Sequence, residues 1–236
     1  LKHTAFVTGA NKGIGFEIAK QLGEKGWKVI LGARDPERGE AAVSELAAQG
    51  LDVAFVQIDM TDSQKIEQGA HAIKTKYPEL KLLVNNAGMP GAFSRSFTET
   101  KEADLRNAFE VSFFGTYRLN QLLFPLIKEN EGTVVNVSTD MASLDHMQNA
   151  AVTLNAFDYN SSKTANNAMT ISMAYEVRNS NAQVFAITPG FTTTDLNGNS
   201  KGGKSKAEGA AIIVGYATDG KRHNGEFLNE QGVVAW

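Results

Sequence analysis

Short runs of aliphatic and β-branched residues alternate with stretches of helical period along this chain. Thr4–Thr8 reads as a strand, and the next apolar positions, Ile14, Ile18, Ala19 and Leu22, recur at helical spacing. Residues 27–31 give a second strand. Its helix opens at Pro36, whose fixed φ suits a first turn, and stops before Gly50. A third strand is expected over 52–58, followed by a helix that Asp62 caps and that runs towards Tyr77. Residues 80–84 form a fourth strand, and a long helix fits 101–127 with Pro125 near its end. A fifth strand covers 132–137, a helix 159–178, and a sixth strand Gln183–Ile187. Strands joined by helices need right-handed crossovers, so the pattern predicts an α/β fold: one doubly wound parallel sheet with helices on both faces. No repeat or interdomain linker divides residues 1–236. The one compositional break, rich in Gly, Asn, Lys and Ser, makes 195–206 a flexible loop by composition.

Composition narrows the function classes. A chain of 236 residues with 42% hydrophobic and 21% charged residues can bury a substantial core. Its net charge of −3 argues against a nucleic-acid or anionic-membrane surface as a partner. Cysteine is absent, which excludes disulfides, thiol nucleophiles and thiolate metal sites and fits a reducing, cytoplasmic compartment. The four histidines, His3, His71, His146 and His223, are scattered with no metal-ligand spacing, so no metal site is expected. No apolar run approaches the length of a membrane span, and no signal-peptide pattern opens the sequence.

Candidate chemistry centres on Tyr159-Asn160-Ser161-Ser162-Lys163, which on a helix places a phenol and an ammonium on one face. At a separation of about 4 Å and an effective dielectric near 20, their attraction is on the order of 4 kcal/mol. That would lower the tyrosine pKa by roughly three units before desolvation takes some back, giving a general acid/base for alcohol and carbonyl chemistry. Spacing alone is weak: Tyr77 and Lys81 share it, but Pro78 breaks the helix between them, and a surface tyrosine on a lysine stem is expected there.

Context comes from Thr8-Gly9-Ala10-Asn11-Lys12-Gly13-Ile14-Gly15, which follows the first strand and opens the first helix. Glycines there permit a tight turn and close approach of the backbone to a pyrophosphate, and the helix N-terminus supplies free N–H groups. Together with Asn85-Asn86-Ala87-Gly88 after the fourth strand and the Tyr159/Lys163 pair, this spacing resembles the short-chain dehydrogenase/reductase family over nearly the whole chain. The resemblance implies a Rossmann-type dinucleotide site. In it Gly9, Asn11, Lys12, Gly13, Ile14 and Gly15 hold the phosphates, Asp59 and Met60 flank the adenine, and Asn86, Ala87 and Gly88 line the adenosine ribose side. Pro189, Gly190, Thr192 and Thr194 fall on the nicotinamide-contacting turn, with Thr194 at the carboxamide position. At the end of the second strand Ala33 takes the place of the acidic residue that binds a ribose 2′-hydroxyl, and Arg34 follows it. With Lys12 on the same side by family analogy, the charge pattern favours a 2′-phosphate, hence NADP(H).

The family's usual reacting set is Asn, Ser, Tyr and Lys. Tyr159 then donates the proton, and Lys163 lowers its pKa and binds the nicotinamide ribose. Thr139 stands at the serine position, with Ser138 beside it as a structural hydroxyl, and a one-residue shift of register would exchange them. Ser112 stands where the family has the asparagine of the proton relay, and it lacks the amide's donors and carbonyl. Within 140–158, Met141, Leu144, Met147, Leu154 and Phe157 are expected to wall a substrate pocket, with the 197–206 loop opposite. Asn11-Lys12-Gly13-Ile14-Gly15, Leu31-Gly32-Ala33-Arg34-Asp35, Phe113-Phe114-Gly115-Thr116 and Trp236 are most similar to the carbonyl reductases. That branch implies NADPH-dependent reduction of an aldehyde, ketone or quinone, with the alcohol oxidation as its reverse. Homo-oligomer formation is left open. The alternative is an NADP(H)-binding sensor or regulatory protein of the same fold that turns over poorly.

Overall fold

The computed structural model describes residues 3–91, 97–149 and 156–236. Among the described residues eight strands form one sheet: β1 (Thr4–Thr8), β2 (Lys28–Ala33), β3 (Val53–Gln57), β4 (Leu80–Asn85), β5 (Thr133–Val137), β6 (Gln183–Ile187), β7 (Phe227–Asn229) and β8 (Gly232–Val233). Their order is β3-β2-β1-β4-β5-β6-β7-β8. Every neighbouring pair is parallel except β7 with β8. The helices are α1 (Gly13–Glu24), α2 (Pro36–Ala47), α3 (Ser63–Lys76), α4 (Glu102–Phe109), α5 (Thr116–Glu129), α6 (Leu144–Asn149), α7 (Phe157–Glu176) and α8 (Lys206–Thr218).

Two-residue alternation along the strands sends side chains to opposite faces. Ala5 and Val7 of β1 join a core with Ile18 of α1, Leu46 of α2 and Ile213 of α8. Phe6, between them, joins the other core, with Ile66 of α3, Leu119 of α5 and Met173 of α7. The sheet is therefore covered on both faces, as the alternating pattern requires. Local signals set the helix starts. Asp35 accepts from Arg38 N with Pro36 in the first turn, Asp62 accepts from Gln64 N and Lys65 N, and Ser205 with Glu208 forms a capping box at α8.

The long helix expected over 101–127 is not continuous α-helix. A π turn, Glu110–Gly115, separates α4 from α5. At Gly115 a β-carbon would overlap the Met60 carbonyl, so the turn lies directly against the β3–α3 connection. The 195–206 segment holds a short 3₁₀ turn, Asp195–Asn197, and a bridge between Thr192 and Lys204. Among the described residues no helix is long and apolar enough to cross a membrane.

Candidate active site

Strand order reverses direction between β1 and β4, and at the carboxyl ends of these strands an α/β sheet opens its binding crevice. Thr8, at the end of β1, is buried and stitches the two strands together. Its Oγ1 accepts from Asn86 N and Ala87 N, both at 3.0 Å. Asn86 Nδ2 returns a hydrogen bond to the Thr8 carbonyl at 2.9 Å. The chain then turns at Gly9 and Gly13, each with φ +65, a left-handed conformation that favours glycine. Lys12 precedes α1 without a side-chain cap, so that helix start keeps N–H groups for an anion.

A cavity of about 720 Å³ follows this turn. Gly15 faces it, and a β-carbon there would overlap Asn86 Nδ2 and the Gly9 carbonyl oxygen. Both obstacles are locked in the β1–β4 stitching, so the cradle is shaped for an approach of backbone alone. Gly15→Ala is expected to cost about 2 kcal/mol, the range of overpacked cores, or roughly 4–8 °C in Tm. It should also weaken dinucleotide binding, measured by thermal unfolding and by fluorescence titration with NADPH.

At the far end of the cavity stand Arg34, Asp35 and Arg38. Asp35 is committed to α2. Its Oδ1 accepts from Arg38 N at 3.3 Å, and its Oδ2 lies 3.4 Å from Arg38 Nε. The Arg34 carbonyl takes a hydrogen bond from Gln57 Nε2. Arg38 was not expected from the strand-end pattern; it sits four residues on, in the first turn of α2. Lys12 lines the cavity too, but its ammonium reaches across the opening to Asp195 Oδ2 at 3.1 Å, with Lys206 3.7 Å from the other oxygen. Lys12 first, through a hydrogen bond and its charge, and then Lys206 hold the Asp195 carboxyl below its ordinary range. Asp59 and Met60 border the middle of the cavity, and Asp59 Oδ1 is fixed by Thr61 N and Oγ1.

The inner end carries Tyr159 and Lys163 together, both from α7, with Gly88, Val137, Ser138 and Pro189. Lys163 is 3% exposed, and its Nζ donates to the Val137 carbonyl at 2.7 Å. Burial pushes the Lys163 ammonium down to about 8 and the Tyr159 phenol up to about 12. The expected lowering of the phenol by the lysine charge is thus corrected. The ammonium is bonded to a backbone carbonyl, and removing water from the phenol outweighs the neighbouring charge. At neutral pH Tyr159 stays protonated, the form that an acid needs. The competing pair is not formed: Lys81 Nζ donates to the Asn130 carbonyl, and Lys28, not Lys81, lies over the Tyr77 ring at 5.6 Å.

The hydroxyl positions separate. Ser138 lines the cavity, but its O–H is spent on Asn167 Oδ1 at 2.7 Å. Thr139 follows Ser138 but is not itself among the lining residues; it caps the short turn Asp140–Ala142, its Oγ1 accepting from Met141 N at 3.3 Å. Accepting leaves its own proton for donation. Ser112 is fully buried in the π turn, behind the wall rather than on it. Thr194 reaches the cavity and Gly190 and Thr192 do not: they shape the turn, with Gly190 at φ +70 and Thr192 Oγ1 bonded to the Gly190 carbonyl.

A model of the short chain dehydrogenase family matches residues 3–204. The chain belongs to that family. It lies close to the carbonyl reductase branch: carbonyl reductase [NADPH] 1 of Bos taurus is 32% identical over 275 residues, covering 98% of each chain. Among solved structures, salutaridine reductase from Papaver somniferum is 27% identical with a TM-score of 0.82, covering 97% of this chain and 100% of its own. An NADPH-bound carbonyl reductase from chicken fatty liver is 24% identical with a TM-score of 0.88 over the full length of both, a likeness of fold. Family members are oxidoreductases that use a nicotinamide cofactor, and the glycine cradle, the uncapped α1 and the long cavity in this chain fit such a dinucleotide.

Of the residues expected to wall a substrate pocket, Met141, Leu144, Met147 and Phe157 are not among those that line the cavity. Met147 Sδ takes Asn160 Nδ2 at 3.9 Å, and Phe157 meets Phe97 edge to face with centroids 5.0 Å apart. Leu144 is 66% exposed; Leu154 lies outside the described residues. Ala235 and Trp236 tie down the segment that carries Ser143 and Asp145. Ser143 Oγ donates to the Ala235 carbonyl at 2.6 Å, Asp145 N to the Trp236 carbonyl at 3.3 Å, and Trp236 stacks on Phe227. In the 195–206 loop, Lys204 pairs with Glu230 at 2.7 Å and Lys206 with Asp195.

Proposed function

We propose that the protein is an NADPH-dependent reductase that converts an aldehyde, ketone or quinone to the alcohol. The observation that carries this reading is the meeting of Tyr159 and Lys163 with the glycine turn in one cavity whose other end bears Arg34 and Arg38. When bound, the nicotinamide supplies the hydride to the carbonyl carbon. The protein's own groups do the rest. Gly9, Asn11, Gly13, Ile14 and Gly15 take the pyrophosphate on backbone N–H groups, and Arg34 with Arg38 takes the 2′-phosphate by charge-assisted bonds. Met60 and Asp59 border the adenine, and Asn86 to Gly88 the ribose. Pro189 and Thr194 position the nicotinamide, with the 195–206 loop closing that side. Thr139 donates its remaining O–H to the carbonyl oxygen. Tyr159 gives that oxygen its proton, and Lys163 stabilises the phenolate left behind.

Oxidation of NADPH against a panel of aldehydes, ketones and quinones tests this. Turnover at roughly 1 s⁻¹ or faster with at least one class is expected. Tight NADPH binding with no turnover across the panel would instead favour a dinucleotide sensor on the same fold.

A further inference from the structure

Asn167 follows Lys163 by four positions on α7, and Lys163 follows Tyr159 by four, so one face of that helix carries all three. Asn167 is 3% exposed and is not among the residues that line the cavity. Its carboxamide is used at both ends. Oδ1 accepts from Ser138 Oγ at 2.7 Å, and Nδ2 donates to the Ala142 carbonyl at 3.4 Å. The direction of these bonds is forced. A carbonyl only accepts, so the amide end of Asn167 must face Ala142 and its oxygen must face Ser138, which has to donate. Thr164 Oγ1 lies 3.0 Å from the same Ala142 carbonyl, but also 3.0 Å from the Asn160 carbonyl of its own helix, and it has one proton for the two.

Thr139 lies between the two residues that Asn167 holds. Ser138 lines the cavity, so Thr139 stands one residue from its wall. Upstream, Ser138 N donates to the Ile187 carbonyl at 2.7 Å and ties that end to β6. Downstream, Ala142 N donates to the Thr139 carbonyl at 2.9 Å, and Thr188 Oγ1 donates to Asp140 Oδ2 at 3.4 Å. Ser138, Ala142 and Asn167 are all buried, where little water competes for their bonds.

We propose that Asn167 is a positioning residue: its carboxamide clasps residues 138 and 142 against α7 and so sets the Thr139 hydroxyl at a fixed place relative to Tyr159. The proposal rests on the reading in which Thr139 and Tyr159 both serve the carbonyl oxygen. Two donors that must meet at one oxygen atom need a common frame, since a misplacement of about 1 Å can cost on the order of 10² in rate. Here the frame is one face of one helix. The clasp also decides between adjacent hydroxyls. Ser138 gives its O–H to Asn167, whereas Thr139 Oγ1 accepts from Met141 N and keeps its own proton for donation.

Asn167→Leu nearly keeps the side-chain volume and removes both bonds. Expected are a kcat lowered roughly tenfold to hundredfold and an unchanged Kd for NADPH. The fall of kcat/KM above about pH 8 should stay where it is, because Lys163 keeps its bond to Val137; a displaced profile would show that Asn167 acts on the lysine and overturns the proposal. The deciding measurement is a double-mutant cycle with Thr139→Val, which deletes the hydroxyl and keeps the shape. Thr139→Val should lower kcat roughly 10²-fold, and adding Asn167→Leu should lower it no further. A merely structural role would multiply the two losses. Ser138→Ala cuts one bond of the clasp and leaves the other on Ala142. It should give a smaller loss that likewise vanishes beside Thr139→Val, and it decides the matter if Asn167→Leu does not fold. Wild-type kcat in Asn167→Leu, or a loss that persists in full beside Thr139→Val, overturns the proposal. Should Thr139→Val itself keep wild-type kcat, the reading of Thr139 as a donor to the carbonyl fails and takes the clasp with it; should Thr139→Val be impaired while the cycle is additive, only the clasp fails.

Discussion

Tyr159→Phe is expected to lower carbonyl reduction by roughly 10²–10⁴, the usual weight of a positioned general acid, with NADPH binding close to wild type. Its ring keeps its place at the start of α7, and only the proton donor goes. The neighbours do not replace it: Ser138 donates its O–H to Asn167 Oδ1, and the Lys163 ammonium is turned to the Val137 carbonyl. Single-turnover kinetics with NADPH prebound would isolate the chemical step from cofactor affinity. Activity that survives unchanged would mean that the proton comes from another group, with Thr139 next in line.

The same pair fixes the pH dependence. Reduction needs the protonated lysine, and burial brings that ammonium down to about 8 while the phenol stays near 12. The ammonium is complete below pH 8 and is lost as pH rises through it, so kcat/KM for reduction should fall above about pH 8, with no separate loss from the tyrosine in the range usually assayed. A flat profile to pH 10 would show that the charge on Lys163 is not required.

What was legible in the sequence was whatever rested on local pattern. The six parallel strands, the glycine turn and the helix carrying Tyr159 and Lys163 each announce themselves through period, turn residues or caps. What escaped depends on tertiary packing. Helix α8 (Lys-Ala-Glu-Gly-Ala-Ala-Ile-Ile-Val-Gly-Tyr-Ala-Thr) has no apolar stripe to mark it, and it is fixed by packing Ala210, Ile213 and Val214 into the core beside α1. β7 and β8 are too short to show alternation and exist because β6 offers an edge. In the 110–115 segment nothing in the residue order signals a π turn, which follows from the backbone's contact with Met60. At the reacting end, Tyr159/Lys163 spacing predicted the juxtaposition but misjudged the electrostatics, because solvent exclusion is a property of the assembled site.

Arg34→Asp is the complementary test at the other end of the cavity. Losing one charge-assisted contact to a 2′-phosphate costs on the order of 1.5–3 kcal/mol, and a new carboxylate adds repulsion. Together with a bond offered to a free ribose hydroxyl, the ratio of kcat/KM for NADPH over NADH should fall roughly 10²–10³-fold. Arg38 remains beside the site, so NADPH binding should weaken rather than vanish. Asp35 is already engaged, capping α2 and pairing with Arg38. An unchanged preference would move the 2′-phosphate to Lys12, which would then have to leave Asp195. That outcome has its own signature: Asp195→Asn would release the Lys12 ammonium and tighten NADPH binding, whereas with Arg34 as the reader it should leave the NADPH/NADH ratio where it was.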